Sequence, residues 1–181
     1  LKPFALKQKL QRHFPGTEVT PLPYDLAEIS TADLTSMLQS CDLAIIAIDD
    51  PAQIERISDL AYSRTELIQQ AMHRGAASGN VAISMPFITP CLKCTLNISS
   101  DNPLRRLNSE SGASMDILTV SQATAKIALE ILYCKATGKK IQRWDFTKNL
   151  LFISNTRQEL CPDGLGMVWE GSEKRPNCPL C

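Results

Sequence analysis

Apolar positions recur with a helical period at the start of this chain. Over residues 2–14, Phe4, Leu6, Leu10 and Phe14 lie roughly on one stripe, with Lys7, Lys9 and Arg12 elsewhere. That spacing predicts an amphipathic helix, and Pro15-Gly16 stops it. Residues 17–22 lean towards β-structure, and Pro21 and Pro23 place them at an edge or end them early. A short helix is expected over 31–38, with Thr31 as cap, Asp33 in the first turn, and Leu34, Met37 and Leu38 packing. The pattern then becomes an unbroken apolar run, Leu43-Ala44-Ile45-Ile46-Ala47-Ile48, led by Asp42 and stopped by Asp49-Asp50. Such a run without alternation predicts a parallel strand buried on both faces. Residues 51–63 return to helical spacing, with Ile54, Ile57, Leu60 and Ala61 inward.

Residues 65–74 fit either a continued helix or a second buried strand through Leu67-Ile68. Gly75 and Gly79 interrupt, 81–85 read as a strand, and 97–113 as a long polar loop. The strongest helix is expected over 119–137, turning Val120, Ala123, Ile127, Ala128, Ile131 and Leu132 inward and ending at Gly138. Residues 141–146 and 150–154 predict an antiparallel strand pair about a turn at 147–149. The tail from 161 carries Gly and Pro with almost no period, so an external constraint is expected to hold it.

The strand ending at Asp49 has a chemical consequence. In open α/β sheets the ligand crevice lies outside the carboxyl ends of the strands, which makes Asp49 and Asp50 the best-placed polar residues. Asp50-Pro51 also reads as a helix cap and first helical residue. The expected division is therefore Asp50 as cap and Asp49 towards a ligand.

Composition narrows the remaining classes. The 181 residues have zero formal net charge, 44% hydrophobic and 21% charged content, which is ordinary for a globular chain. Zero net charge offers no field for nucleic acid or an anionic membrane. No apolar run approaches the ~20 residues of a membrane span. Seven cysteines, an odd number, argue against a fully paired secreted scaffold and suit a reducing cytoplasm. Leu1 in place of Met reads as a processed piece or a fragment. Neither a G-x-G-x-x-G nor a G-x-x-x-x-G-K-[ST] loop occurs, and His13 and His73 suggest no catalytic set.

Four of the cysteines form two C-x-x-C knuckles, Cys91-Leu92-Lys93-Cys94 and Cys178-Pro179-Leu180-Cys181. Four thiolates match a closed tetrahedral zinc site; two redox pairs or two disulfides are the competing readings. Closing a loop of about 90 residues costs roughly 4–5 kcal/mol. A structural zinc ion returns about 10–16 kcal/mol, so metal is favoured as the link.

Lys2, the strand closed by Asp49 and the two knuckles, taken in order, resemble the ThiF/MoeB/HesA superfamily, bacterial relatives of ubiquitin-activating enzymes. The resemblance runs through Phe14-Pro15, Asp42 to Asp49-Asp50, Gly79-Asn80-Val81, Pro90-Cys91-Leu92-Lys93-Cys94 and the closing C-x-x-C. It implies a partial Rossmann-like, mostly parallel α/β sheet with flanking helices, a C-terminal antiparallel strand pair and a zinc clasp. On that reading one domain spans 1–181: a Rossmann-like half over 2–90, the first knuckle and crossover loop over 91–118, and the long helix, strand pair and zinc-bound tail over 119–181. The implied activity is ATP-dependent adenylation of the C-terminus of a ubiquitin-like or sulfur-carrier protein. Lys2 would contact phosphates, and Asp49 and Asp50 would hold ATP and Mg²⁺. Structural zinc on Cys91, Cys94, Cys178 and Cys181 and a homodimer complete the expectation. The family's glycine-rich nucleotide loop has no counterpart within these residues, so the piece is expected to be inactive by itself. The 95–115 loop also lacks a cysteine for covalent transfer. A partner-binding domain without catalysis is the alternative.

Overall fold

The computed structural model describes residues 2–97, 114–142, 144–145 and 147–181. The loop expected over 97–113 lies outside them except for Asn97. Two compact units result, 1–33 and 34–181.

The first unit carries helix α1, Lys2–His13, ending in Arg12 and His13. Basic groups there complement the helix dipole. Its stripe is not buried: Phe4, Leu6 and Phe14 are 44–60% exposed. Residues 17–22 form no strand. Asp25 instead caps a 3-10 turn over Leu26–Glu28 by accepting from the Ala27 N–H at 2.9 Å. Helix α2, Thr31–Gln39, begins at the end of this unit and buries Leu34 and Leu38 in the next.

The second unit is built on a five-stranded sheet in the order β1-β2-β3-β4-β5. The strands are β1 Leu43–Ile46, β2 Glu66–Met72, β3 Ser78–Ser84, β4 Leu150–Ser154 and β5 Gly166–Glu170. The expected parallel pairing is present as one pair, β1 with β2. Antiparallel pairing extends beyond the expected C-terminal pair and takes in β2–β3, β3–β4 and β4–β5. Three readings change here. The β1 strand stops at Ile46, lies at the sheet's edge, and leaves Ile45 49% exposed, so it is not buried on both faces. Residues 65–74 resolve in favour of a strand. The partners of β4 are β3 and β5 from the tail, whereas the strand was expected over 141–146, of which 143 and 146 lie outside the described residues; the Asp145 carboxylate accepts from the Thr147 N–H at 3.0 Å.

Helices cover both faces. Helix α5, Ser114–Thr137, lays Val120, Ala123, Ile127, Ala128 and Ile131 against Ile68, Val81, Ile83, Leu151 and Ile153. Side chains alternate across a strand, so these sheet residues share one face. Leu132 turns away and is 38% exposed. By length and composition only, α5 is long and apolar enough to cross a membrane. Helix α3, Pro51–Ala61, buries Ile54, Ile57 and Ala61, while Leu60 is half-buried. It contacts β2 and the one-turn helix α4, Leu92–Thr95, which in turn contacts β3.

Close approach of α5 fixes one glycine. A Cβ on Gly79 would lie 2.6 Å from Val120 Cγ2 and 2.7 Å from the Ala71 carbonyl. Backbone and a buried valine cannot both retreat, so Gly79→Ala should destabilise the chain by about 1–3 kcal/mol. A lowered urea midpoint at unchanged m-value would show it.

Candidate functional site

Three groups of side chains carry chemistry. The first follows β1. Asp50 caps α3, accepting from the N–H groups of Ala52 at 2.9 Å and Gln53 at 3.4 Å, with Pro51 at the first helical turn. Asp49 is exposed and three residues beyond the strand. Asp50 is thus the helix cap expected of it, and the Asp49 carboxylate is exposed. Lys2 opens α1 in the first unit and is exposed.

The second group is the clasp. Chain folding brings Cys91, Cys94, Cys178 and Cys181 together, all four sulfurs within 4.8 Å of one another. Cys91–Cys178 and Cys94–Cys181 are 3.6 Å apart and Cys181–Cys91 3.5 Å. A disulfide needs about 2.05 Å. A tetrahedral metal with bonds of about 2.3 Å places its sulfurs about 3.8 Å apart, close to what is seen. The donor set therefore fits a metal ion and leaves no position open for a substrate.

Local structure prepares the sulfurs. Cys91 is the cap position of α4, and the Cys94 N–H bonds back to its carbonyl at 3.0 Å. Burial raises the Cys91 and Cys181 thiols above their ordinary range. Burial opposes ionisation of Cys178 too, but the N–H groups of Cys181 and Leu180 outweigh it and bring that thiol down to about 6. The Arg175 N–H also points at Cys94 Sγ, 3.4 Å away. Such donors favour the thiolate, the form that binds metal. Tyr62, Leu180 and the cysteines pack as one small cluster. Lys93, between the knuckle cysteines, bonds Glu55 at 2.6 Å and Asp59 at 3.3 Å, tying α4 to α3.

Beside the clasp sits a node that the sequence did not announce. Asn149, 1% exposed, donates to the Ile83 carbonyl at 3.2 Å and to Thr95 Oγ1 at 2.8 Å. Its oxygen accepts from the Ser172 N–H at 3.0 Å and the Ser172 hydroxyl at 2.7 Å. One amide thus joins β3, the first knuckle and the tail.

The third group lies on the sheet face opposite α5. His73 Nδ1 is 2.8 Å from Ser78 Oγ, and His73 Nε2 is 3.0 Å from Asn80 Oδ1. The Asn80 amide reaches Gln69 Oε1 at 3.4 Å. Asn80 and Gln69 are 9% and 2% exposed. Buried polar groups like these cost about 1–3 kcal/mol each when unpaired, so their presence inside a sheet calls for a reason. From the sequence, His73 suggested no catalytic set. It lies just after β2, facing β3.

The fold is a mixed α/β sheet flanked by helices, with four cysteines gathered at one place. The chain belongs to the ThiF family, whose profile matches residues 2–180. Its fold matches E. coli MccB solved with ATP, with a TM-score of 0.70 at 14% identity over 100% of this chain and 50% of that one. The microcin C7 biosynthetic enzyme MccB in complex with N-formylated MccA matches with a TM-score of 0.68 at 13% identity, over 100% and 52%. PaaA matches with a TM-score of 0.60 at 15% identity, over 94% and 55%. The chain thus spans about half the length of these solved proteins. No curated protein sequence matches it.

Proposed function

We propose that this chain is the metal-clasped half of an ATP-dependent adenylating enzyme that, when intact, activates the carboxyl terminus of a ubiquitin-like or sulfur-carrier protein. The family match over 2–180, with both knuckles closing one clasp, carries this reading. Solved MccB relatives holding ATP or MccA support it. In the reaction a carboxylate oxygen bonds to the α-phosphorus of ATP, the bond to the bridging oxygen breaks, and pyrophosphate leaves with the electron pair.

Asp49 is assigned to Mg²⁺, a hard cation that takes carboxylate oxygen and keeps waters while bridging phosphates. Lys2 is assigned to the phosphates, where a point charge offsets the negative charge building on the leaving group. Asp50 sets the start of α3 and so holds Asp49 in place. Zinc is the metal assigned to the clasp, with a structural part only. The intact enzyme is expected to be a cytoplasmic homodimer, and the piece by itself inactive.

ATP–pyrophosphate exchange by the full-length protein is the test. Asp49→Ala should lower exchange about 100-fold or more, as loss of a group acting on the transition state does. Undiminished exchange would remove Asp49 from the mechanism. The second reading, a partner-binding domain without catalysis, is favoured by the lack of a cysteine for covalent transfer over residues 95–115. Carrier binding without any exchange by the intact protein would establish that reading instead.

A further inference from the structure

At the β5 edge of the sheet the fold leaves an open cleft between α5 and the last two strands, with a volume of about 220 Å³. Buried Ala123, Ile127 and Leu151 form its apolar floor. Trp144 and Trp169 line it too, with ring planes 5° apart and centroids 5.7 Å apart. That geometry is an offset stack, which leaves indole face uncovered for a further flat ring. An apolar cavity of about 150 Å³ takes a benzene molecule, so the space here suits a fused or substituted ring.

The rim supplies charge. Lys126 lines the cleft from α5, is exposed, and among the described residues has no ion pair or hydrogen bond. Glu130 lies one turn further on, within reach by helical spacing. Its carboxylate accepts instead from the Gln142 N–H at 3.0 Å. The Gln122 amide, one turn before Lys126, is also exposed and makes no hydrogen bond among the described residues. An apolar floor, an aromatic wall and one unpaired ammonium at the mouth thus occur together.

We propose that this cleft binds a small, flat aromatic monocarboxylate, its ring against the indoles and its carboxylate at Lys126 and Gln122. Each part of the ligand follows from a part of the site. A saturated ring would cover the floor but gain no stacking. A neutral ring would leave the ammonium to water. A phosphate would bring a second negative charge that one ammonium leaves unbalanced. The site is separate from Asp49, because β1 and β5 are the two edges of the sheet. It therefore stands or falls independently of the adenylation reading.

The probe is 2-naphthoate, titrated calorimetrically into the full-length protein beside 2-naphthamide, saturated decahydro-2-naphthoate and a peptide with an internal Asp-Trp pair. The naphthoate should saturate one site per chain below about 1 mM. It should bind about 3-fold more tightly than the amide, since an exposed ion pair adds only modestly. Over the saturated acid the gain should be about 5-fold, from stacking. Lys126→Gln should erase the first preference, keep the second and leave the melting temperature unchanged. Trp169→Leu should erase the second. If Trp169→Leu fails to fold, magnetisation from the bound naphthoate ring must reach the Trp169 indole in the unsubstituted protein. Absence of saturable binding, equal binding of acid and amide, a charge preference that survives Lys126→Gln, or no transfer to Trp169 overturns the site. Tighter binding of the Asp-Trp peptide than of naphthoate also overturns it, in favour of a partner's side chain as occupant.

Discussion

Stripping the metal from the clasp should lower the melting temperature of the protein by roughly 10–20 °C and free its tail. Structural zinc returns about 10–16 kcal/mol, comparable with the whole stability of a domain. A loss of about 5 kcal/mol already corresponds to such a shift in a chain of this size. The tail has few other anchors. Beyond β5, among the described residues, Ser172 bonds Asn149 and Thr95, Arg175 bonds Cys94, and the two cysteines join the clasp. Metal analysis should find about one ion per chain. Limited proteolysis after chelation should cut between 171 and 181 first, and Cys91→Ser should reproduce the effect without a chelator. An unchanged melting curve after complete metal removal would refute a structural metal.

Replacement of Asn149 by Ala should cost about 3–5 kcal/mol. The side chain is fully enclosed and meets four partners: the Ile83 carbonyl, Thr95 Oγ1, and both donors of Ser172. Each buried group orphaned by truncation costs about 1–3 kcal/mol, and the cavity adds to it. Asn149→Asp discriminates the two sides. It can still accept from Ser172 but presents an oxygen to the Ile83 carbonyl, so it should be at least as damaging as Ala at neutral pH. Urea denaturation gives the stability, and competition with a chromophoric chelator gives metal affinity. The first should fall in both variants. The second should fall as well, because Thr95 and Ser172 flank the two knuckles. A metal affinity unaffected by either change would separate the node from the clasp.

Much of the helical framework was legible because helical spacing is a local signal. The inward residues of α5 are those its period selects, apart from Leu132. Even its earlier start has a local mark, since Asp116 falls in the first turn and complements the helix dipole. The clasp was legible because C-x-x-C spacing is chemistry rather than propensity. The sheet was harder. Gly166-Met167-Val168-Trp169-Glu170 sits in a Gly- and Pro-rich tail, and it becomes a strand because Trp169 and Met167 pair with Leu151 and Ile153. That pairing is tertiary, and no window of sequence contains it. The reverse error occurred at β1, where six apolar residues suggested burial on both faces although the strand has one neighbour. Asn149, Gln69 and His73 had no signal at all. A lone Asn or Gln has meaning only through the groups that surround it.

The clasp also orders events in time. Its first half, Cys91 and Cys94, is set by a single local turn and can form within microseconds. Cys178 and Cys181 lie 87 residues downstream of their partners, beyond β4 and β5 in the chain. Contacts of such long range form late, because chain entropy is lost before they repay it. A metal ion captured early would sit on two sulfurs and wait for the other two. Stabilisation by the full clasp would therefore be absent from the folding transition state and would act chiefly by slowing unfolding. A metal bound there would in that sense be a lock on the folded chain rather than a nucleus for its folding.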